Sequence, residues 1–162
     1  MILGCDPGVH GAFALLSHEN GRPTVRTFDI PALKISVNKG IRTQLDLAGV
    51  VSFLVEHRLG IVHAIIENPH AMPGQGVSSS FSFGFACGAL QSALVAMELP
   101  TTTIRPAIWK RKLGLSADKD ETRRRASQIF PTCASQWARK CDDGRAEAAL
   151  LAYWGQMEGL TL

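Results

Sequence analysis

Two acidic side chains stand at the ends of apolar runs, and a fold of this chain has to make room for both. Met1-Ile2-Leu3-Gly4-Cys5 leads into Asp6, and Ile61-Val62-His63-Ala64-Ile65-Ile66 leads into Glu67. Short apolar runs of this kind read as buried strands. An ionised carboxylate at the end of a buried strand is costly unless positive charge meets it. A third acidic cluster, Asp142-Asp143-Gly144-Arg145-Ala146-Glu147, opens an apolar helix near the C-terminus. Three acidic points from distant segments suggest one acid-lined, metal-binding site.

The periodicities supply a frame for such a site. Ile2–Cys5, Ala12–Leu16 and Thr24–Phe28 read as three strands, joined by the turn Asp6–Gly11 and by Asn20-Gly21-Arg22-Pro23. Pro31–Arg42 reads as a polar, flexible loop. Thr43–His57 reads as a helix capped by Thr43, with Leu47, Val51 and Leu54 on its buried face. Ile61–Glu67 is the fourth strand, and Asn68–Ser80, rich in Pro, Gly and Ser, is a loop. A helix follows with Phe83, Cys87, Leu90, Leu94 and Met97 as its stripe, then a fifth strand over Thr101–Arg105. Ile108–Leu113 is a short helix. Ser116 caps a helix that Pro131 ends near Ile129, and the last helix runs from Asp143 to Met157. Strand–helix–strand crossovers in the second half favour parallel pairing there. The expectation is a single α/β domain over residues 1–162, a mixed five-stranded sheet flanked by helices.

Composition narrows the function classes. Hydrophobic residues make up 46% of the 162, enough for a core. No apolar run reaches the roughly 18 residues needed to cross a bilayer, and the first residues lack the basic segment of a signal peptide. No membrane partner is therefore expected. Cys5, Cys87, Cys133 and Cys141 form no metal-binding pairs and read as reduced cytoplasmic thiols. The net charge of +3 is unevenly spread: Thr102–Glu147 holds eleven bases against six acids, a local +5. A basic surface beside acidic site residues fits a polyanionic substrate.

Asp143 and Glu147 are four apart and share one helix face, which continues through Leu150, Leu151 and Trp154. That stripe turns both acids toward the sheet. Asp142 reads as a solvated first-turn acid favoured by the helix dipole. Several carboxylates together suit Mg2+ or Mn2+ better than zinc. From the pattern alone, a structural Ca2+ site, or Asp6 as a turn residue before Pro7, stays open.

Cys5-Asp6-Pro7-Gly8-Val9-His10-Gly11, then Ile65-Ile66-Glu67, then Asp143-Gly144-Arg145-Ala146-Glu147 with the following Ala148–Ala152, resembles the Holliday junction resolvases of the RuvC type. The resemblance is closest to the short forms of phages and prophages. Met72–Gly84 also resembles that branch, so the likeness runs from Ile2 to about Trp154. It implies a ribonuclease H-like fold, a homodimer, a cytoplasmic site of action in a bacterial cell, and two-ion, Mg2+-dependent paired nicking of four-way DNA junctions, with Mn2+ as a substitute. By motif position Asp6, Glu67, Asp143 and Glu147 are the implied metal ligands, with Asp142 competing with Asp143. The family's last acidic pair is often two Asp three apart; here it is Asp and Glu four apart.

Lys110 and Lys119 match family positions that contact DNA. Either could hold the scissile phosphate, and Lys119 could also offset transition-state charge; the plainer reading of both is solvated surface lysine. Arg111, Lys112 and Arg123–Arg125 are expected to add phosphate contacts, though three consecutive arginines cannot all face DNA from one helix. His70 stands where the family often carries a branch-point aromatic. Phe81, Phe83 and Phe85 are further wedge candidates that read better as core or dimer interface, and His10 reads as structural. Gly84 and Gly88, four apart, mark their helix as the expected dimer face. Three alternatives accompany this reading: a related nuclease acting on flaps, other branched DNA or RNA; a non-catalytic junction binder, against which all four acids argue; and a fragment of an actin-like or sugar-kinase-like ATPase. The last needs two such domains, and 162 residues do not supply them.

Overall fold

The computed structural model describes residues 1–38, 40–68, 74 and 76–160. Strand β1 (Ile2–Asp6) turns back into β2 (Ala12–Glu19), which turns into β3 (Arg22–Asp29), all antiparallel. Asn20 and Gly21 both take positive φ, 52° and 76°, the two-residue hairpin geometry that Asn-Gly favours. Next come β4 (Ala32–Val37) and β5 (Gly40–Leu45), which among the described residues pair only with each other. Helix α1 (Leu47–His57) leads to β6 (His63–Glu67), and α2 (Val77–Ala96) to β7 (Thr101–Ile104). Helices α3 (Pro106–Lys112), α4 (Lys119–Ile129) and α5 (Asp143–Met157) complete the chain.

The main sheet has the order β3-β2-β1-β6-β7, with β6 parallel to both β1 and β7. Alternation along the strands splits the core in two. Ile2, Ala14, Leu16 and Ile65 pack against Ala148, Leu151 and Ala152 of α5. Leu3, Cys5, Phe13, Leu15 and Ile66 pack against Val50 and Leu54 of α1 and Leu90 and Leu94 of α2. Asp6 continues the Ile2–Gly4 face and Glu67 continues the Ile65 face, so both acids lie on the α5 side of the sheet. Helix α5 comes close because Gly4 has no side chain: a Cβ there would stand 2.0 Å from the Ala148 carbonyl oxygen.

Four sequence expectations need correction. Pro31–Arg42 is not a loop; most of it forms the β4–β5 ribbon. Thr43 pairs with Lys34 in that ribbon, so it caps no helix. The cap of α1 is Asp46, whose Oδ1 accepts from the Gly49 amide. The helix starts at Leu47, buries Val50 and Leu54, and leaves Leu47 and Val51 exposed, because the face that packs on the sheet is the one carrying Val50, Phe53 and Leu54. Asp118, not Ser116, caps α4; Ser116 bonds Glu121 instead. Separately, α2 contains an 18-residue stretch that by length and composition alone is apolar enough to cross a membrane. In the fold its Ala86, Leu90 and Leu94 pack onto the sheet.

Candidate active site

Each of the four acids is delivered by a different constraint. Asp6 ends β1 and fits against the first turn of α5 because residue 144 is glycine: a Cβ there would lie 2.9 Å from Asp6 Oδ2 and 3.0 Å from the His10 carbonyl. Glu67 ends β6, is 8% exposed, and accepts a 2.8 Å hydrogen bond from Nε1 of the fully buried Trp109. Asp143 and Glu147 project from the first two turns of α5. Glu147 accepts from Lys110 Nζ at 2.7 Å, and Asp143 is paired with Lys119.

The acids feel one another. Burial pushes the Asp6 carboxyl well above the ordinary range, and Glu147 and Glu67 push it further; Lys119 opposes them. Burial likewise raises Glu67, against the Trp109 hydrogen bond, with Glu147 adding to the rise and Lys110 opposing it. The Asp143 hydrogen bond raises Lys119, so its ammonium stays charged. The Cys87 thiol of α2 is pushed up to about 11 by burial, and then by Asp6 and Glu67.

This donor set suits a hard divalent cation: carboxylate oxygens only, too close in charge to ionise cheaply without added positive charge. Among the described residues, no three acidic, imidazole or thiol groups converge tightly enough to ligate an ion as they stand. The ammonium groups of Lys110 and Lys119 take up Glu147 and Asp143 instead.

Asp142 departs from expectation. It is 6% exposed rather than solvated, and Arg139 donates to both its oxygens, at 2.9 and 2.7 Å. Those bonds hold its carboxyl at about 2. Asp142 therefore anchors the start of α5 through Arg139, while Asp143 pairs with Lys119 and adds a little to the rise of the Asp6 carboxyl. Arg145 adds a two-armed bond to Asp29 at the end of β3, at 2.6 Å on each arm.

The expected basic residues divide. Lys110 and Lys119 reach the acids. Lys112 pairs with Glu158, and Arg123 with Asp120 at 2.6 Å. Arg111 is exposed. Arg124 donates to the Asp120 carbonyl and Arg125 to Gln128. His70 lies outside the described residues. Phe81 and Phe85 are exposed rather than core, whereas Phe83 is half-buried against Gly8. His10 is exposed, and its carbonyl rather than its ring faces Gly144. Sequence reasoning missed the parts played by Trp109 and Gly144. A buried indole N–H needs an acceptor, and that rule could have flagged Trp109.

The mixed sheet, its flanking helices and the strand order define an α/β fold of the ribonuclease H-like class. No protein-family model matches the sequence, and no curated protein matches it either. Among solved structures, the Thermus thermophilus RuvC structure superposes with a TM-score of 0.60 at 14% identity, over 98% of this chain and 96% of that one. T. thermophilus RuvC in complex with a Holliday junction substrate gives a TM-score of 0.60 at 15% identity, over the same shares. The likeness shows a RuvC-like fold over nearly the full length of both chains.

Proposed function

We propose that this chain is a divalent-metal-dependent endonuclease that resolves four-way DNA junctions as a homodimer, within one nuclease domain over residues 1–162. What supports the reading is that carboxylates from three segments influence one another, Glu147, Glu67 and Asp143 each raising the Asp6 carboxyl, while Lys110 pairs with Glu147 and Lys119 with Asp143. The likeness to a protein solved with a Holliday junction substrate supports the choice of substrate.

Asp6, Glu67, Asp143 and Glu147 would hold two Mg2+ or Mn2+ ions, which supply water activation and charge stabilisation at the leaving oxygen in phosphodiester hydrolysis. Trp109 fixes one oxygen of Glu67, leaving the other for a ligand. Lys110 and Lys119, freed from the acids, would hold the scissile phosphate and offset charge as the bond breaks. Water attacks in line and leaves a 3′-hydroxyl and a 5′-phosphate. Arg111, Lys112 and Arg123 extend the phosphate contacts. The outer face of α2 supports the dimer: Val77, Phe81, Phe85 and Val95 are exposed, and among the described residues nothing lies within 4 Å of a Cβ placed at Gly84 or Gly88. A two-fold dimer presents two sites to a two-fold junction. The reading places its action in the cytoplasm of a bacterial cell.

The test compares a four-way junction, a flap, linear duplex and an RNA–DNA hybrid in Mg2+, for wild type and Asp6→Asn. Paired nicks on the junction are expected, with Asp6→Asn binding the junction without cutting it. Equal cutting of linear duplex refutes junction selectivity. Undiminished cutting by Asp6→Asn refutes the metal site.

A further inference from the structure

Much of the positive charge gathered between Thr102 and Glu147 is answered inside the fold. Lys110, Lys112, Lys119, Arg123, Arg139 and Arg145 each meet a carboxylate. The β4–β5 ribbon is the reverse case. Ala32–Leu45 contains Lys34, Lys39 and Arg42 and no acid. Among the described residues, neither Lys34 nor Arg42 enters an ion pair. Arg42 donates to Ser82 Oγ at 2.7 Å, a neutral acceptor that leaves its charge uncompensated. Both side chains are exposed.

The ribbon is also well placed. Among the described residues it is paired to no strand of the main sheet, and its root flanks the turn that follows Asp6. Val9 lines a cavity of about 200 Å3 together with Arg42, Thr43, Leu45, Phe81 and Phe85. Lys34 lies opposite Thr43 and Arg42 opposite Ile35, on adjacent rungs, so the two cations leave opposite faces of the ribbon. A strand of six residues spans about 20 Å, close to six base-pair steps of about 3.4 Å. A two-stranded ribbon fits the major groove of a duplex.

We propose that β4–β5 is a DNA-gripping ribbon. It enters a groove of the duplex arm that leaves the acidic site, and Lys34 and Arg42 hold phosphates on the two walls. This rests on the reading of the chain as a DNA nuclease and adds a contact surface to it. The exposed Leu33, Val37 and Ile41 would also suit a second copy of this chain. Charge decides between the two occupants: ribbon against ribbon sets like charges together, whereas DNA supplies the missing anions.

The experiment titrates full-length wild type, Lys34→Gln, and the Lys34→Gln/Arg42→Gln double variant onto a labelled four-way junction in EDTA, from about 50 to 200 mM salt. Gln at 42 keeps a donor for Ser82, and Lys34→Gln removes a charge without removing any bond. The slope of log K against log salt is expected to fall by about 0.9 for the single variant and about 1.8 for the double. Affinity at the lowest salt should drop about tenfold or more in the double variant. Single-turnover nicking at saturating protein should keep its wild-type rate. Unchanged slope and affinity in both variants overturn the proposal. So does intact DNA binding accompanied by loss of the dimer in sedimentation, which would make the ribbon a copy-to-copy contact. Wild type that binds no DNA at low salt sinks the nuclease reading itself, a distinct result.

Discussion

Gly4→Ala tests whether the acidic site depends on how closely α5 lies on β1. A Cβ at position 4 would stand 2.0 Å from the Ala148 carbonyl oxygen and 2.7 Å from the Ala152 amide nitrogen. Both are backbone atoms of α5, so no side-chain rotation relieves the overlap. Ordinary contact is about 3.5 Å, so the helix has to retreat by about 1.5 Å or β1 has to bend. Overpacking of a tight core costs about 1–3 kcal/mol, and this site belongs at the upper end. In a chain of this length about 3 kcal/mol lowers Tm by roughly 6–12 °C. The retreat also carries Asp143 and Glu147 away from Asp6 and Glu67, which stay on the sheet. Misplacement by about 1 Å can cost about 100-fold in rate. Urea denaturation followed by circular dichroism reads the first effect, and single-turnover nicking under conditions where the variant is fully folded reads the second. A folded variant with wild-type stability and wild-type nicking would refute the account of how α5 positions its acids.

Three further outcomes follow from the same geometry. Asp6 and Glu67 have carboxyls raised by burial and by neighbouring acids. For an acid raised in the folded state, the unfolded chain gives up its proton at lower pH, so stability falls as pH rises from the unfolded to the folded value. Asp6→Asn removes that loss: it should raise the metal-free Tm at neutral pH and diminish the further rise on adding Mg2+, read by scanning fluorimetry at acid and neutral pH. A lower metal-free Tm at neutral pH would contradict this. Trp109→Phe deletes the indole donor to Glu67 and should cost about 1–3 kcal/mol in denaturant midpoint analysis. It should also shift the acid limb of the pH–rate profile upward, because that bond lowers the Glu67 carboxyl; an unmoved limb argues against the bond. Lys110→Met removes an ammonium 2.7 Å from Glu147. Calorimetry should show Mn2+ binding tightened by about fivefold or more, the factor equivalent to about 1 kcal/mol of like-charge repulsion, while nicking slows; weaker Mn2+ binding would show that the lysine assists the metal.

The sequence carried the local elements whose signals are short-range. Asn20-Gly21 fixed a hairpin turn, the runs ending at Asp6 and Glu67 were strands, and α5 begins and ends at Asp143 and Met157 as its pattern suggested. Asp6 and Glu67 stood out because a carboxylate after an apolar run is costly wherever the chain goes. The β4–β5 ribbon was harder to see. Leu33, Ile35 and Val37 do alternate with polar residues, but the turn-like composition around them masked a strand that buries little. Residue 46 rather than 43 caps α1 because Thr43 was already committed to Lys34 across the ribbon.

What tertiary structure alone decided is which charges meet. Lys110 finds Glu147 across 37 positions, Trp109 finds Glu67 across 42, and Arg145 finds Asp29 across 116. Spacing along the chain cannot encode such pairs, since they depend on where helices cross the sheet and how near they come. Asp142 and Asp143 show the consequence. The sequence left these adjacent acids in competition; the packing of α5 turned the first to Arg139 and the second toward Lys119 and Asp6. The sequence by itself determined that Asp6 and Glu67 end buried strands, where a carboxylate needs an answering charge. Only the fold decided which cations answer them, and that Lys34 and Arg42 enter no ion pair among the described residues.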